Sequence, residues 1–230
     1  MSRTLAIARR DLLATFATPA GWIVVALFSL VTALVFFATS FHNGEPAGLR
    51  PVLLIAGWAF IAMAPAIAMR SISEELRQGT YETLATAPVS EAAIILGKFA
   101  ACVIFLLAML APTLVLVVLL ELYGRPDYGE LVCGYTGLVL AGSVCMALGI
   151  LASTLTSSQV VAYLVALLTV VFVVIGIKAL APIVPPAYAD LVYAADPVLR
   201  LRDFTIGLLD TANIAYFVAL AAALLVAAIA

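Results

Sequence analysis

Charge is scarce in this sequence: Asp, Glu, Lys and Arg make up 10% of 230 residues, while 66% are hydrophobic. With a mean hydropathy of +1.22 and long uncharged runs, such a chain is a polytopic membrane protein rather than a water-soluble domain. The net charge of −2 shows no basic excess, so nothing points to nucleic acid as a partner. Histidine is nearly absent. His42 stands alone in a loop, no His/Cys/Met cluster accompanies it, and no metal site is expected. The three cysteines, Cys102, Cys133 and Cys145, lie in or beside apolar runs without C-x-x-C spacing and read as small packing residues. With one histidine and no charged residue in the uninterrupted apolar cores, no nucleophile–base–acid set can be assembled, so no catalytic residue is assigned. A phosphate loop is missing too. "LGKF" (96–99) carries its Gly-Lys pair, but Ala92 stands where the first Gly is needed and Phe99 where Ser or Thr is needed. No cofactor-binding residue is assigned, and the chain is not expected to bind or hydrolyse ATP by itself.

What is abundant is span-length apolar sequence. About 20 apolar residues cross ~30 Å of hydrocarbon, and such windows fall near 20–41, 51–69, 92–120, 131–155, 159–177 and 212–230. A lipid-exposed segment must satisfy its own backbone hydrogen bonds, so the spans are helices and the fold class is an all-α polytopic membrane protein with six transmembrane helices. The first run is too long for a signal-peptide core and five more follow it, so it reads as a retained span. Residues 1–230 form a single transmembrane domain on this reading. Arg3, Arg9, Arg10, Arg70, Arg77 and Lys98 oppose Arg50 and Arg125, six against two, which places the N-terminus and residues 70–98 in the cytoplasm. Lys178, Arg200 and Arg202 run against this bias, in a long outer loop spanning 178–211.

Residues 2–17 read as an amphipathic helix in the inner interface. Leu5, Ala8, Leu12 and Phe16 share one side of a 100° wheel, Arg3 and Arg10 lie opposite, and Arg9 breaks the pattern. "TPAGW" (18–22) then breaks the helix. The fourth span carries small residues at every fourth position, Gly137, Ala141, Cys145, Gly149 and Ser153, a spacing that lets another helix approach, within one bundle or across a subunit interface. Pro65 and Pro112 predict bends in the second and third spans. Residues 197–210 read as a short helix lying in the outer interface. Arg200, Asp203, Gly207 and Asp210 share one sector of it, and Val198, Leu201, Leu208 and Leu209 face away.

The polar exception is "MRSISEELRQGTYETLATAPVS" (69–90), where Arg70, Glu74, Glu75, Arg77 and Glu82 fall within thirteen residues. "RSISEELRQ" extends the second span as a polar helix, and Gly79 stops it as a C-cap. Thr80 can cap a second short helix, "YETLATA", with Glu82 in its first turn, before Pro88 ends it. Ser90 then caps the third span, with Glu91 in its first turn. Such a pair of helices suits docking as well as it suits a plain solvated loop.

The block "AMRSISEELRQGTYETLATAPVSEAAIILGKFAA" resembles the cytoplasmic segment of type-2 ABC-transporter permeases. Its pattern M-R-x-[IL]-x-E-E-x-x-x-G-T-x-E-x-L-x-T-x-P-V-S is followed by G-K-F. "ATPAGWIVVALF" (17–28), "YTGLVLAGSVCMALGILASTLTSSQVVA" (135–162) and "RDFTIGLLDTANIAYF" (202–217) extend the resemblance over essentially the whole chain, nearest to the gliding-motility-associated permeases. The resemblance implies a multi-pass permease subunit in the inner (cytoplasmic) membrane, without enzymatic activity of its own. A partner ATPase, present as a dimer, would bind ATP and Mg. It further implies a second permease copy or a homologous permease, and an accessory extracytoplasmic subunit is a further candidate partner. By position, Glu75, Gly79, Thr80, Glu82 and Leu84 belong to the ATPase-coupling segment within 70–91. Arg3, Leu5, Arg10, Leu12 and Phe16 belong to the connecting helix. The family's basic tail beyond the last span has no counterpart before Ala230. The function implied is coupling of a partner's ATP hydrolysis to substrate export or to mechanical work. An ion-coupled carrier or channel and a membrane scaffold subunit are the alternative classes.

Overall fold

The computed structural model describes residues 3–40, 48–80, 90–123, 126–180, 182–185, 192 and 194–229, and no strand occurs among them. The helices are α1 (Arg3–Ala17), α2 (Pro19–Thr39), α3 (Arg50–Ala68), α4 (Arg70–Gln78) and α5 (Glu91–Leu110). After a single 3-10 turn (Ala111–Thr113) come α6 (Leu114–Tyr123), α7 (Tyr128–Thr154), α8 (Gln159–Leu180), α9 (Pro197–Thr205) and α10 (Thr211–Ile229). Six stretches are long and apolar enough to cross a membrane: α2, α3 continued by α4, α5 continued by α6, α7, α8 and α10. The chain is an all-α polytopic membrane protein.

Glycines put α7 at the centre of the bundle. A Cβ on Gly137 would stand 2.5 Å from Phe204 Cβ, and one on Gly149 would stand 2.6 Å from Ala68 Cβ, so neither position tolerates a side chain at the observed spacing. Small residues that let helix backbones approach gain dispersion contacts, the main attraction left between helices in lipid. Half of the most apolar stretch of α7 is buried (50%), against 17% for α8 and for α10, which pack around it. Elsewhere the largely aliphatic core includes Phe28 of α2 stacked on Phe60 of α3 at 5.4 Å between ring centres.

The small-residue stripe is divided. Gly137, Gly149 and Ser153 are buried within the chain, Ser153 donating to Ile150 O at 2.7 Å, while Ala141 and Cys145 are half-buried beside a slot described below. Pro65 lies inside α3, whose helix passes through it. Pro112, lacking an amide N–H, sits in the 3-10 turn that divides the third span.

The third span, expected near 92–120 with a bend at Pro112, runs from Glu91 to Tyr123 and turns at Ala111–Thr113. Two expectations are corrected. The fifth continues to Leu180, which moves Lys178 out of the loop and into the last turn of α8. The helix expected over 197–210 ends at Thr205, Gly207 takes φ +82°, and Leu201 and Phe204 are buried against α3 and α7 while Leu208 and Leu209 are exposed. On α1, Ile7 and Ala8 are buried and Leu5 and Leu13 are exposed. The apolar arc of α1 is wide enough to serve two surroundings. Ile7 meets Gly97 of α5, and Leu5 and Leu13 are exposed.

Candidate functional site

Where α1, α4 and the start of α5 meet, four charged side chains form one cluster. It begins with a glycine. Gly97 brings α5 so near α1 that a Cβ there would lie 3.0 Å from Thr4 O and 3.1 Å from Ile7 Cβ. The next residue, Lys98, is carried to the same junction and is 1% exposed. It lies seven residues after Glu91, roughly 10 Å along the helix, at a depth where an ammonium group needs partners.

Those partners come from two other helices. Lys98 Nζ donates to Asp11 Oδ2 of α1 at 3.0 Å and to the carbonyl oxygen of Ser71 at 2.6 Å. It also lies 2.9 Å from Glu75 Oε2 of α4. That last contact is an ion pair without hydrogen-bond geometry, which leaves the buried Glu75 Oε2 with no donor. Arg10 completes the set, donating to Asp11 Oδ1 at 2.8 Å and to Glu75 Oε1 at 2.6 Å. Two cations and two carboxylates thus alternate, and each carboxylate serves both cations. Partial burial would lower the pKa of Arg10, but its bonds to Asp11 and Glu75 more than offset this and hold it above the ordinary value.

Beside the cluster, Glu74 accepts from Arg77 at 2.8 Å and from Gln78, and also from Gln159, the first residue of α8. Consecutive carboxylates on α4 therefore face different neighbours: Glu75 faces α1 and α5, and Glu74 faces α8. Ile72 and Ser73, just before them in the helix, are buried. Met69 keeps helical angles (φ −55°, ψ −29°), so α3 runs into α4 as one rod of 29 residues. At its end Gly79 takes φ +69°, ψ 8°, the left-handed conformation that glycine adopts without a Cβ penalty, and its N–H reaches Leu76 O at 3.3 Å.

The structure thus joins Arg10 and Glu75 directly. Gly79 and Thr80 lie one turn further on, Thr80 Oγ1 standing 3.4 Å from Glu75 O. Glu82 and Leu84, with the proposed second short helix, lie outside the described residues. Ser90 accepts from Ala93 N at 3.3 Å and caps α5. Arg3 begins α1, Leu12 is half-buried, and the Phe16 ring packs on Phe105 at 5.1 Å and Trp22 at 5.6 Å. Sequence reasoning missed Asp11, Lys98 and Gln159. Two of these left a signal: Asp11 is the only acid among the arginines of α1, and Lys98 is a charge inside an apolar helix, which calls for a partner.

A comparison with curated protein sequences finds no match. The family model for ABC-2 family transporter proteins matches residues 40–230, which include α4 and α5 and leave α1 with Arg10 and Asp11 outside. With that match over most of its length and six helices fit to span a membrane, the chain belongs to the ABC-2 family of transporter proteins and is a membrane permease subunit of an ABC transporter.

Proposed function

We propose that this permease works as the moving membrane part of a transporter whose ATP is hydrolysed on a separate ATPase subunit. The α4 end of the bundle would face that subunit in the cytoplasm. The observation that carries the reading is Lys98, buried between Asp11 of α1 and Glu75 of α4. A push on residues 79–90 would be delivered to α4, which is continuous with the second span and tied by charge to α1 and to the third span. The six-to-two Lys/Arg bias supports the cytoplasmic placement in the inner membrane. ATP and Mg belong to the ATPase pair, with a second permease copy or a homologous permease beside this one, and the work done is substrate export or force on a partner. The affinity to gliding-motility-associated permeases rests on the sequence blocks alone. An ion-coupled carrier would place ionisable groups near the middle of its spans, whereas this ionic cluster lies at one end. Copurification tests the reading: an ABC ATPase should be retained by the tagged permease, and the permease alone should not hydrolyse ATP. Robust hydrolysis by a verified single-subunit preparation would overturn it.

A further inference from the structure

α8 and α10 both pack on α7 without extensive contact with each other. Between them lies a slot of about 190 Å³, walled by Leu54, Trp58, Val144, Val173, Tyr216 and Leu220 and floored by Ala141 and Cys145. Its few polar groups are already engaged. Thr169 Oγ1 donates to Val165 O at 2.7 Å, and the Tyr216 hydroxyl donates to Ala195 O at 2.9 Å. Nothing in the slot calls for a sugar or an ion. Its volume falls below the roughly 300–1,000 Å³ of sites for compact ligands and suits one extended hydrocarbon segment.

The rim differs from the walls. Lys178 Nζ sits 5.1 Å from the centre of the Trp58 ring, and the Arg200 guanidinium sits 4.4 Å from that of Tyr216. Each cation is thus held on an aromatic residue of the wall. Arg200 also donates to Ala194 O and to Asn213 Oδ1, each at 2.6 Å. Among the described residues neither cation has a carboxylate within ion-pair distance. Nearby acids are used otherwise. Asp196 caps α9 through Val198 N and Leu199 N, Asp203 accepts from Asn213, and Asp210 accepts from Ala212 N. These cations include two of the three that run against the Lys/Arg bias of the sequence.

We propose that this slot binds a membrane lipid with an anionic phosphate headgroup, one acyl chain lying between α8 and α10 and the headgroup meeting Lys178 and Arg200. The site requires only that the protein span a membrane and is independent of any ATPase partner. Trp58 reports on it directly, because the chain has only two tryptophans and Trp22 packs on Phe16 of α1. The Trp22→Phe protein is reconstituted in vesicles containing phosphatidylglycerol or phosphatidylcholine with bromine in mid-chain, and Trp58 quenching is normalised to the unbrominated lipid. The brominated anionic lipid should win the competition by about fivefold for each rim cation. Lys178→Gln should lower that preference by about the same factor and Lys178→Arg should keep it. Ala141→Leu, which fills the floor, should weaken quenching by both lipids. Equal quenching by the two lipids would reduce the slot to ordinary lipid contact and overturn the proposal. So would a preference unchanged in Lys178→Gln, or absence of quenching by either lipid, the result expected if a second copy of the chain covers the slot.

Discussion

Lys98 Nζ and Asp11 Oδ2 meet at 3.0 Å across 87 residues of sequence, and the lysine is 1% exposed. The pair fixes α1 to the body of the bundle by charge, at the place where Gly97 lets the two helices touch. Glu75 makes the contact three-sided, so no one of these helices can shift without separating opposite charges.

Removing the buried cation should therefore be costly. Lys98→Met leaves Asp11 and Glu75 facing each other, with Arg10 as their remaining cation. Breaking a buried ion pair on one side costs about 3–5 kcal/mol. The lower end is expected here because both carboxylates keep some access to water. Asp11→Asn should cost less, since Lys98 keeps Glu75 and the Ser71 carbonyl. Thermal unfolding in detergent checks the order, and equal melting of Lys98→Met and parent would remove the cluster's structural role.

Much of the architecture is legible in the sequence, and the reason is physical. Apolar length reports the six spans because a run of about 20 apolar residues in lipid satisfies its own backbone as a helix, and Gly79 and Ser90 report helix ends because their chemistry is local. The cluster is not local. A helix wheel shows which side of α1 is apolar, but not that Ile7 meets α5 while Leu5 is exposed; the partner surface decides that. Lys98 follows Gly97 in a string that resembles a broken phosphate loop, and its role becomes clear only once α1 lies over it.

Gly97 allows a test of α1 docking apart from charge. Gly97→Ala places a methyl against Thr4 O and Ile7, which a shift of a few tenths of an ångström can relieve. Gly97→Leu cannot be relieved so and should lift α1 while α5, a good host for leucine, stays helical. Trypsin should then cut at Arg9 or Arg10 faster than in the parent. Unchanged cleavage would mean that α1 is already loose.

The stripe on α7 makes a similar distinction. Gly149→Val drives a branched side chain into Ala68 and Pro65, and overpacking of this kind costs about 1–3 kcal/mol. Cys145→Ala, at the slot, should change the melting temperature less. If the stripe were a subunit interface instead, both substitutions would chiefly change oligomeric state, which size-exclusion with light scattering would report.

Sidedness can be read with single cysteines in a protein whose Cys102, Cys133 and Cys145 are alanine. Ser73 is a poor reporter, because it is fully buried and donates to Met69 O. Arg77 and Tyr123 are exposed, on the ends of α4 and α6. Arg77→Cys should react with a membrane-impermeant maleimide only from the cytoplasmic side, and Tyr123→Cys only from the opposite side. Reaction of both from one side would refute the arrangement of spans two and three.

A Cβ on Gly79 would meet nothing within 4 Å, so a substitution there acts through the backbone alone. With φ at +69°, a β-branched residue should cost roughly 1 kcal/mol or more, and Asn should cost less. Such a penalty is too small to unfold a six-span bundle, yet it redirects the chain as it leaves α4 toward residues 81–90. If those residues contact an ATPase, Gly79→Val should leave the amount of inserted permease unchanged and lower ATPase copurification and stimulated hydrolysis. Gly79→Asn should lie between Gly79→Val and the parent. Glu82→Lys should act in the same direction by reversing a charge in the contact, and Asp127→Lys, at the start of α7 on the opposite side, should not. Parent-like assembly and turnover in both Gly79→Val and Glu82→Lys would leave the segment a solvated loop with no part in coupling.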